Sequence, residues 1–269
     1  MIHNRLSRIF TLSLIVLPYM TSSILFAETA EGKGLRIAEA ASNVERGYDD
    51  ISVSGEMILH SKGGKIGKRR FDFRTVFNEI DDNTKSLLIF RWPGDIRNTA
   101  LLTHANPSRE DDQWLYLPAV DKVRRISSSG RSGSFVGSEF AYEDMVDQGV
   151  EKFTHLWVKD EKCPTISSQC HVLDRIPTER SGYSIQRVWL DTSKLRLQQI
   201  KYYDRRKAHL KTLKVSGYRL YKDRYWRASV MEMKNHLTKK STTLTWNDFK
   251  FDTGVNPNGF SVNALKRLR

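Results

Sequence analysis

Only two cysteines and seven prolines occur in 269 residues, and beyond residue 27 no apolar run is long enough to span a bilayer. Two cysteines cannot build a cysteine zinc cage, and no C-x-x-C is present to serve as a redox pair. The phosphate-cradling pattern G-x-x-x-x-G-K-[ST] does not occur. A nucleophile elbow, G-x-S-x-G, is also missing, because Gly130-Arg131-Ser132-Gly133 has the wrong spacing. The seven histidines are scattered, with no H-E-x-x-H or other metal spacing, so each reads as a surface or strand residue. Acids are also in short supply: 31 against 44 Lys and Arg, a net charge of +13. That excess draws the chain toward anionic surfaces. Nothing reads as a helix-turn-helix, a zinc finger or an RNP signature, so an anionic membrane or lipid headgroup suits the charge better than nucleic acid.

Residues 1–27 have the make-up of a secretory signal peptide. Arg5 and Arg8 precede an apolar stretch from Ile9 to Leu17, and a small residue, Ala27, stands at the expected cut. Pro18 and the polar residues after it leave the apolar stretch too short for a membrane anchor. Removing Arg5 and Arg8 from the total of +13 leaves +11 on residues 28–269, expected to be a soluble periplasmic domain. In an oxidising compartment Cys163 and Cys170, separated by a turn containing Pro164, read as one disulfide that pins a hairpin.

Helical spacing of Leu35, Ile37, Ala38, Ala41 and Val44 predicts one amphipathic helix that ends at Gly47. The period then changes to two. Ile51, Val53, Gly55, Met57 and Leu59 alternate with polar residues, and a glycine- and lysine-rich turn leads to Phe71, Phe73, Thr75 and Phe77. This is a hairpin with one apolar and one wet face. Strand-like runs continue at short spacing to about residue 248, without βαβ alternation, internal repeats or a linker. The expectation is a single, mainly β domain.

The stretch Trp114–Asp144 reads WLYLPAVDKVRRISSSGRSGSFVGSEFAYED. Two short strands flank Pro118–Asp121, a loop of serine, glycine and arginine runs from Ser127 to Gly137, and Phe140–Gln148 follows as a helical turn or two. This motif resembles the hallmark of the outer-membrane lipoprotein-sorting-like family. Trp189-Leu190-Asp191, Tyr202-Tyr203-Asp204, Asn235-His236, Thr242-Thr243-Leu244-Thr245 and Asn256-Pro257 extend the resemblance to the C-terminal end. It implies a fold related to LolA and LolB: a half-open antiparallel β-barrel of about eleven strands capped by helices. It also implies a periplasmic carrier of a lipid or lipoprotein, working with an RND- or MMPL-type exporter.

The aromatic face has two readings, a core covered by the N-terminal helix or a ligand cavity, and the resemblance favours the cavity. The residues expected to line it are Met57, Leu59, Phe71, Phe73, Phe77, Leu88, Phe90, Trp114 and Tyr116. Arg124, Arg125 and Arg131 are expected to meet a headgroup, membrane or partner, with the Ser127–Gly137 loop as a gate. Glu139, Glu143 and Asp144 could supply paired carboxylates, but acids opening a helix are also favoured by its dipole. No catalytic role, cofactor or metal is expected. The alternative is a sensor or accessory module that docks on an envelope exporter without transporting anything.

Overall fold

A computed structural model describes residues 27–78, 83–107 and 109–268. Apart from Ala27, the expected signal peptide lies outside the described residues. Helix α1 (Ala30–Glu45) starts earlier than its apolar spacing predicts, because the Thr29 hydroxyl accepts the Gly32 N–H at 3.0 Å and caps it. Ile37 and Ala38 are buried. Gly34 lets the helix lie directly on a strand backbone, since a Cβ there would come within 2.7 Å of the Trp157 nitrogen.

Among the described residues the period-two stretches form thirteen strands, two more than expected. They are β1 (Asp50–His60), β2 (Ile66–Asn78), β3 (Asn83–Trp92), β4 (Ala100–His104), β5 (Asp112–Leu117), β6 (Lys122–Arg125) and β7 (Phe153–Lys162). Then come β8 (Gln169–Pro177), β9 (Tyr183–Asp191), β10 (Leu197–Asp204), β11 (His209–Tyr221), β12 (Tyr225–Asn235) and β13 (Ser241–Phe251). One end of the sheet is formed by β5 and β6, the two short strands expected on either side of Pro118–Asp121. All thirteen belong to one antiparallel sheet in the order β6-β5-β4-β3-β2-β1-β13-β12-β11-β10-β9-β8-β7.

Apart from β6 and β7, strands adjacent in sequence pair with each other, and β1 also pairs with β13, so the two ends of the meander meet in mid-sheet. The edge strands β6 and β7 do not pair with each other, which leaves the barrel half open. The chain between them, residues 126–152, turns inward together with α1 and packs on the inner face. Phe135 and Phe140 join Met57, Phe71, Leu88, Phe90, Leu173, Ile200 and Leu244 in the main core. On the outer face, Leu87, Ile89, Ala100, Leu102 and Tyr116 are covered by Phe260 and by Leu265 of the short C-terminal helix α2 (Val262–Leu265). Cys163 and Cys170 are disulfide-bonded, as expected, across the β7–β8 turn.

Two buried carboxylates hold turns in place. Asp50 accepts from the Thr253 hydroxyl at 2.8 Å and from the backbone N–H groups of Thr253, Gly254 and Val255. Asp191 accepts from Arg196 Nε at 2.8 Å, from the Ser193 hydroxyl at 2.7 Å and from the Lys194 N–H. Burial pushes both carboxyls up, but these donors together outweigh it and hold both below the usual carboxylate range. A depressed folded-state value means that the unfolded chain binds protons first on acidification. The stability is therefore complete above the ordinary aspartate value of about 4 and is lost as pH falls through the depressed values. Thermal melts taken down to about pH 2.5 should show a falling midpoint, and Asp50→Asn should flatten that fall. Equal acid sensitivity in the two proteins would contradict the assignment.

Candidate ligand-binding site

A half-enclosed cavity of about 480 Å³ lies between the inner face of the sheet, α1 and the 140–150 segment. It falls within the roughly 300–1,000 Å³ typical of ligand pockets. Its walls are mainly aliphatic: Leu173, Val188, Leu190, Leu195, Leu197, Ile200, Met231 and Leu244 from the sheet, Ala38 and Ala41 from α1, and Phe140, Met145 and Val150 from the bridging segment. Phe73, Trp246 and Phe249 close one side. Polar residues also line it: Ser42, Glu45 and Arg46 from the end of α1, Asp144, Asp147 and Gln148 from the bridging segment, Thr75, Thr84, Ser86 and Thr103 from β2–β4, and His155, Arg175 and Arg227 from β7, β8 and β12.

Among the nine side chains expected to line a cavity, Phe73 does so. Met57, Phe71, Leu88 and Phe90 point to the same inner face, but Phe135 and Phe140 cover them and they form packed core. Phe135 stacks on Phe90 at 5.8 Å between ring centroids, and Leu59 packs at the margin of the same cluster. Trp114 and Tyr116 point the opposite way. Their register partners Leu102 and Ala100 face outward, so both belong to the outer cluster under α2. Phe77 is half-buried near the strand end, opposite Thr84. Its aliphatic wall comes instead from β8, β9, β10, β12 and β13, with Ile51, Phe73, Thr75, Thr84, Ser86 and Thr103 adding β1–β4. The wall residues Leu173, Val188, Leu190 and Ile200 stand in ordinary strand sequence, where no run of aromatics singles them out.

The three arginines do not form one patch. Arg124 and Arg125 are exposed but adjacent on β6, so they project to opposite faces, and Arg125 pairs with Asp112. Arg131 is only 11% exposed and is held by Glu110 at 2.6 Å. The Ser127–Gly137 loop is correspondingly anchored and is not a free flap. Phe135 is completely buried, the Gly133 carbonyl accepts the Tyr142 N–H at 3.1 Å, and the Arg131 carbonyl accepts the Glu143 N–H at 3.0 Å.

The motif acids hold the bridging segment to the sheet. Glu139 accepts from Asn235 Nδ2 at 2.7 Å. Glu143 accepts the Ser181 hydroxyl and the Gly182 N–H, the latter at 3.0 Å. Asp144 accepts the Tyr183 hydroxyl at 2.9 Å and the Ala141 N–H at 2.7 Å, with Lys211 Nζ 3.7 Å away. Burial pushes the Asp144 carboxyl up, and Lys211 opposes that shift. These carboxylates are committed to structural donors. The resemblance motif is therefore a clamp that closes the open side of the barrel.

A family model described only as an uncharacterized protein matches residues 82–267. No curated protein matches the chain. Among crystal structures, a domain described as an outer membrane lipoprotein-sorting protein, from Vibrio parahaemolyticus, is 43% identical with a TM-score of 0.84. The match covers 87% of this chain and 99% of that one. A DUF1329 family protein from Desulfovibrio piger is 26% identical, with a TM-score of 0.83 over 88% of this chain and 99% of its own. A LolA superfamily protein from Nitrosomonas europaea, 18% identical, matches 86% of this chain and 98% of its own with a TM-score of 0.68, which shows the shared fold.

Proposed function

Because the chain belongs to the outer membrane lipoprotein-sorting-protein-like family, we propose that it is a periplasmic carrier that shields an acyl-chain-bearing lipid or lipoprotein from water. The observation that carries this reading is the aliphatic cavity beneath α1 and the bridging segment. Each buried CH₂ group contributes about 0.8 kcal/mol, so a chain of ordinary length gains useful affinity without a catalytic group. The signal peptide would deliver the protein to the envelope, and an RND- or MMPL-type exporter would supply or accept the cargo.

A second reading, a module that docks without carrying cargo, is favoured by one end of the sheet. There the register brings together the β1–β2, β10–β11 and β12–β13 hairpin tips. They expose Ile66 and Leu237, the latter 78% accessible, among Lys62, Lys65, Arg205, Arg206, Lys207, Lys239 and Lys240. Such a rim suits an anionic membrane or an acidic partner, with each cation contributing about 1 kcal/mol near an anionic lipid surface.

Mass spectrometry of an organic extract of the protein, purified from the envelope fraction, separates the two. The carrier reading expects an acyl-bearing species in near-stoichiometric amount. Its absence would leave the rim as the functional surface and overturn the carrier.

A further inference from the structure

We infer that Arg175 is the headgroup-reading residue of this cavity, pairing with the single anionic group, carboxylate or phosphate, of an acyl-chain ligand. The inference rests on the carrier reading and adds the chemistry of the cargo. The strand register sets two rows side by side on the inner face. One is polar, with His155 paired to Arg175, Arg175 to Gln186, Gln186 to Tyr202 and Tyr202 to Lys211. Two residues along each strand runs an aliphatic row, Leu173–Val188–Ile200–Leu213. Arg175, Leu173, Val188 and Ile200 all line the cavity. An amphiphile lying across these strands would place its anionic end on the first row and its chain on the second.

Within the polar row, the two cations differ in how they are balanced. Lys211 has the buried Asp144 carboxylate and the Tyr183 hydroxyl. Arg175 has no salt bridge among the described residues. Its Nη2 donates to the neutral Gln186 Oε1 at 2.6 Å, and its guanidinium carbon lies 4.8 Å from the Phe153 ring centroid. Its Nε is buried without a hydrogen-bond partner. Glu45, an exposed residue at the end of α1, bears on it only through space. Burial lowers Arg175 to about 10, so it remains charged at neutral pH.

Other arginines of this sheet are satisfied by the protein itself. Arg187 has Asp174 at 2.7 Å and Arg196 has Asp191 at 2.8 Å. Arg227, also on the cavity wall, gives its donors to the Trp226 and Glu45 carbonyls and packs over Tyr48, Tyr225 and Phe251. A buried donor left unfilled costs free energy, and a buried cation without a counter-charge costs more. A planar guanidinium fork matches a carboxylate or phosphate in a bidentate way, and a few placed polar groups in an apolar pocket are what orient a ligand.

The test titrates delipidated protein calorimetrically with palmitate, hexadecyl phosphate and neutral methyl palmitate. Wild type should bind at least one anion about ten- to a hundredfold more tightly than the ester, and which anion wins tells a free fatty acid from a phosphate headgroup. Arg175→Gln should bring the anions to the affinity of the ester while leaving the ester unchanged, and Arg175→Lys should recover part of the preference. A cooperative melt confirms that each variant is folded. If wild type binds the ester and the anions equally, the headgroup assignment is overturned and the carrier stands. If wild type binds none of the three, both fail. The wild-type comparison holds even if the variants do not fold.

Discussion

Replacing Phe135 by alanine is expected to destabilise the protein by about 3–5 kcal/mol, the range for deleting a fully buried phenylalanine. Phe135 has no solvent exposure, stacks on Phe90 and meets Tyr142 edge-on at 5.6 Å. It comes from the segment that bridges the open side of the barrel, so its neighbours cannot close over the space without detaching that segment. The loss is a large share of the 5–15 kcal/mol that stabilises a typical domain. Urea titration of wild type and Phe135→Ala measures it. A loss below about 1 kcal/mol would mean that the segment is only loosely held. The loop would then regain the gating role that its serines and glycines suggest.

Introducing a carboxylate at Phe73 and at Phe71 should have opposite consequences, although the two residues stand two apart on the same face of β2. Phe71 is 1% exposed, with Trp246 and Phe90 against its ring at centroid distances of 5.1 and 6.5 Å. Phe71→Glu would bury an unpaired charge in packed core, at a cost of several kcal/mol, and should yield insoluble or unfolded protein. Phe73 is half-buried and lines the cavity. A carboxylate there can stay hydrated, so Phe73→Glu should melt cooperatively and lose the acyl species recovered from wild type by extraction. If Phe73→Glu also unfolds, the space beside it is filled core.

Local pattern made much of the architecture legible. The alternation through Ile51–Leu59 and Phe71–Phe77 corresponds to β1 and β2, whose register pairs Val53 with Phe73 and Gly55 with Phe71. The strand-like runs expected to continue to about residue 248 correspond to β3–β13, the last of which ends at Phe251. The candidate site was less legible, for a physical reason. A two-residue period divides a strand into two faces without saying which faces inward. Trp114 and Tyr116 look like natural partners of Phe71 and Phe90, yet the inner face of β5 carries Gln113 and Leu115. Aromatic side chains favour close packing as readily as ligand contact. Of the aromatics expected at the cavity, Phe71 and Phe90 share the packed core with Phe135 and Phe140, and Trp114 and Tyr116 face outward, while much of the wall is built from branched aliphatics farther along the chain.

Sequence by itself therefore determined the elements whose causes are local: the helix before Gly47, the meander of antiparallel strands, the Cys163–Cys170 staple and the family motif. The tertiary structure alone decided where the barrel stays open, because that depends on β1 pairing with β13 across nearly the whole chain and on β6 and β7 failing to meet. It also decided which polar residues are balanced. Asp144 reaches Lys211 and Glu110 reaches Arg131 only after the bridging segment folds inward, whereas Arg175 ends on the cavity wall with no salt bridge among the described residues. Sequence separation carries no information about such pairings. They follow from the curvature of the sheet, which brings side chains together from strands far apart in the chain.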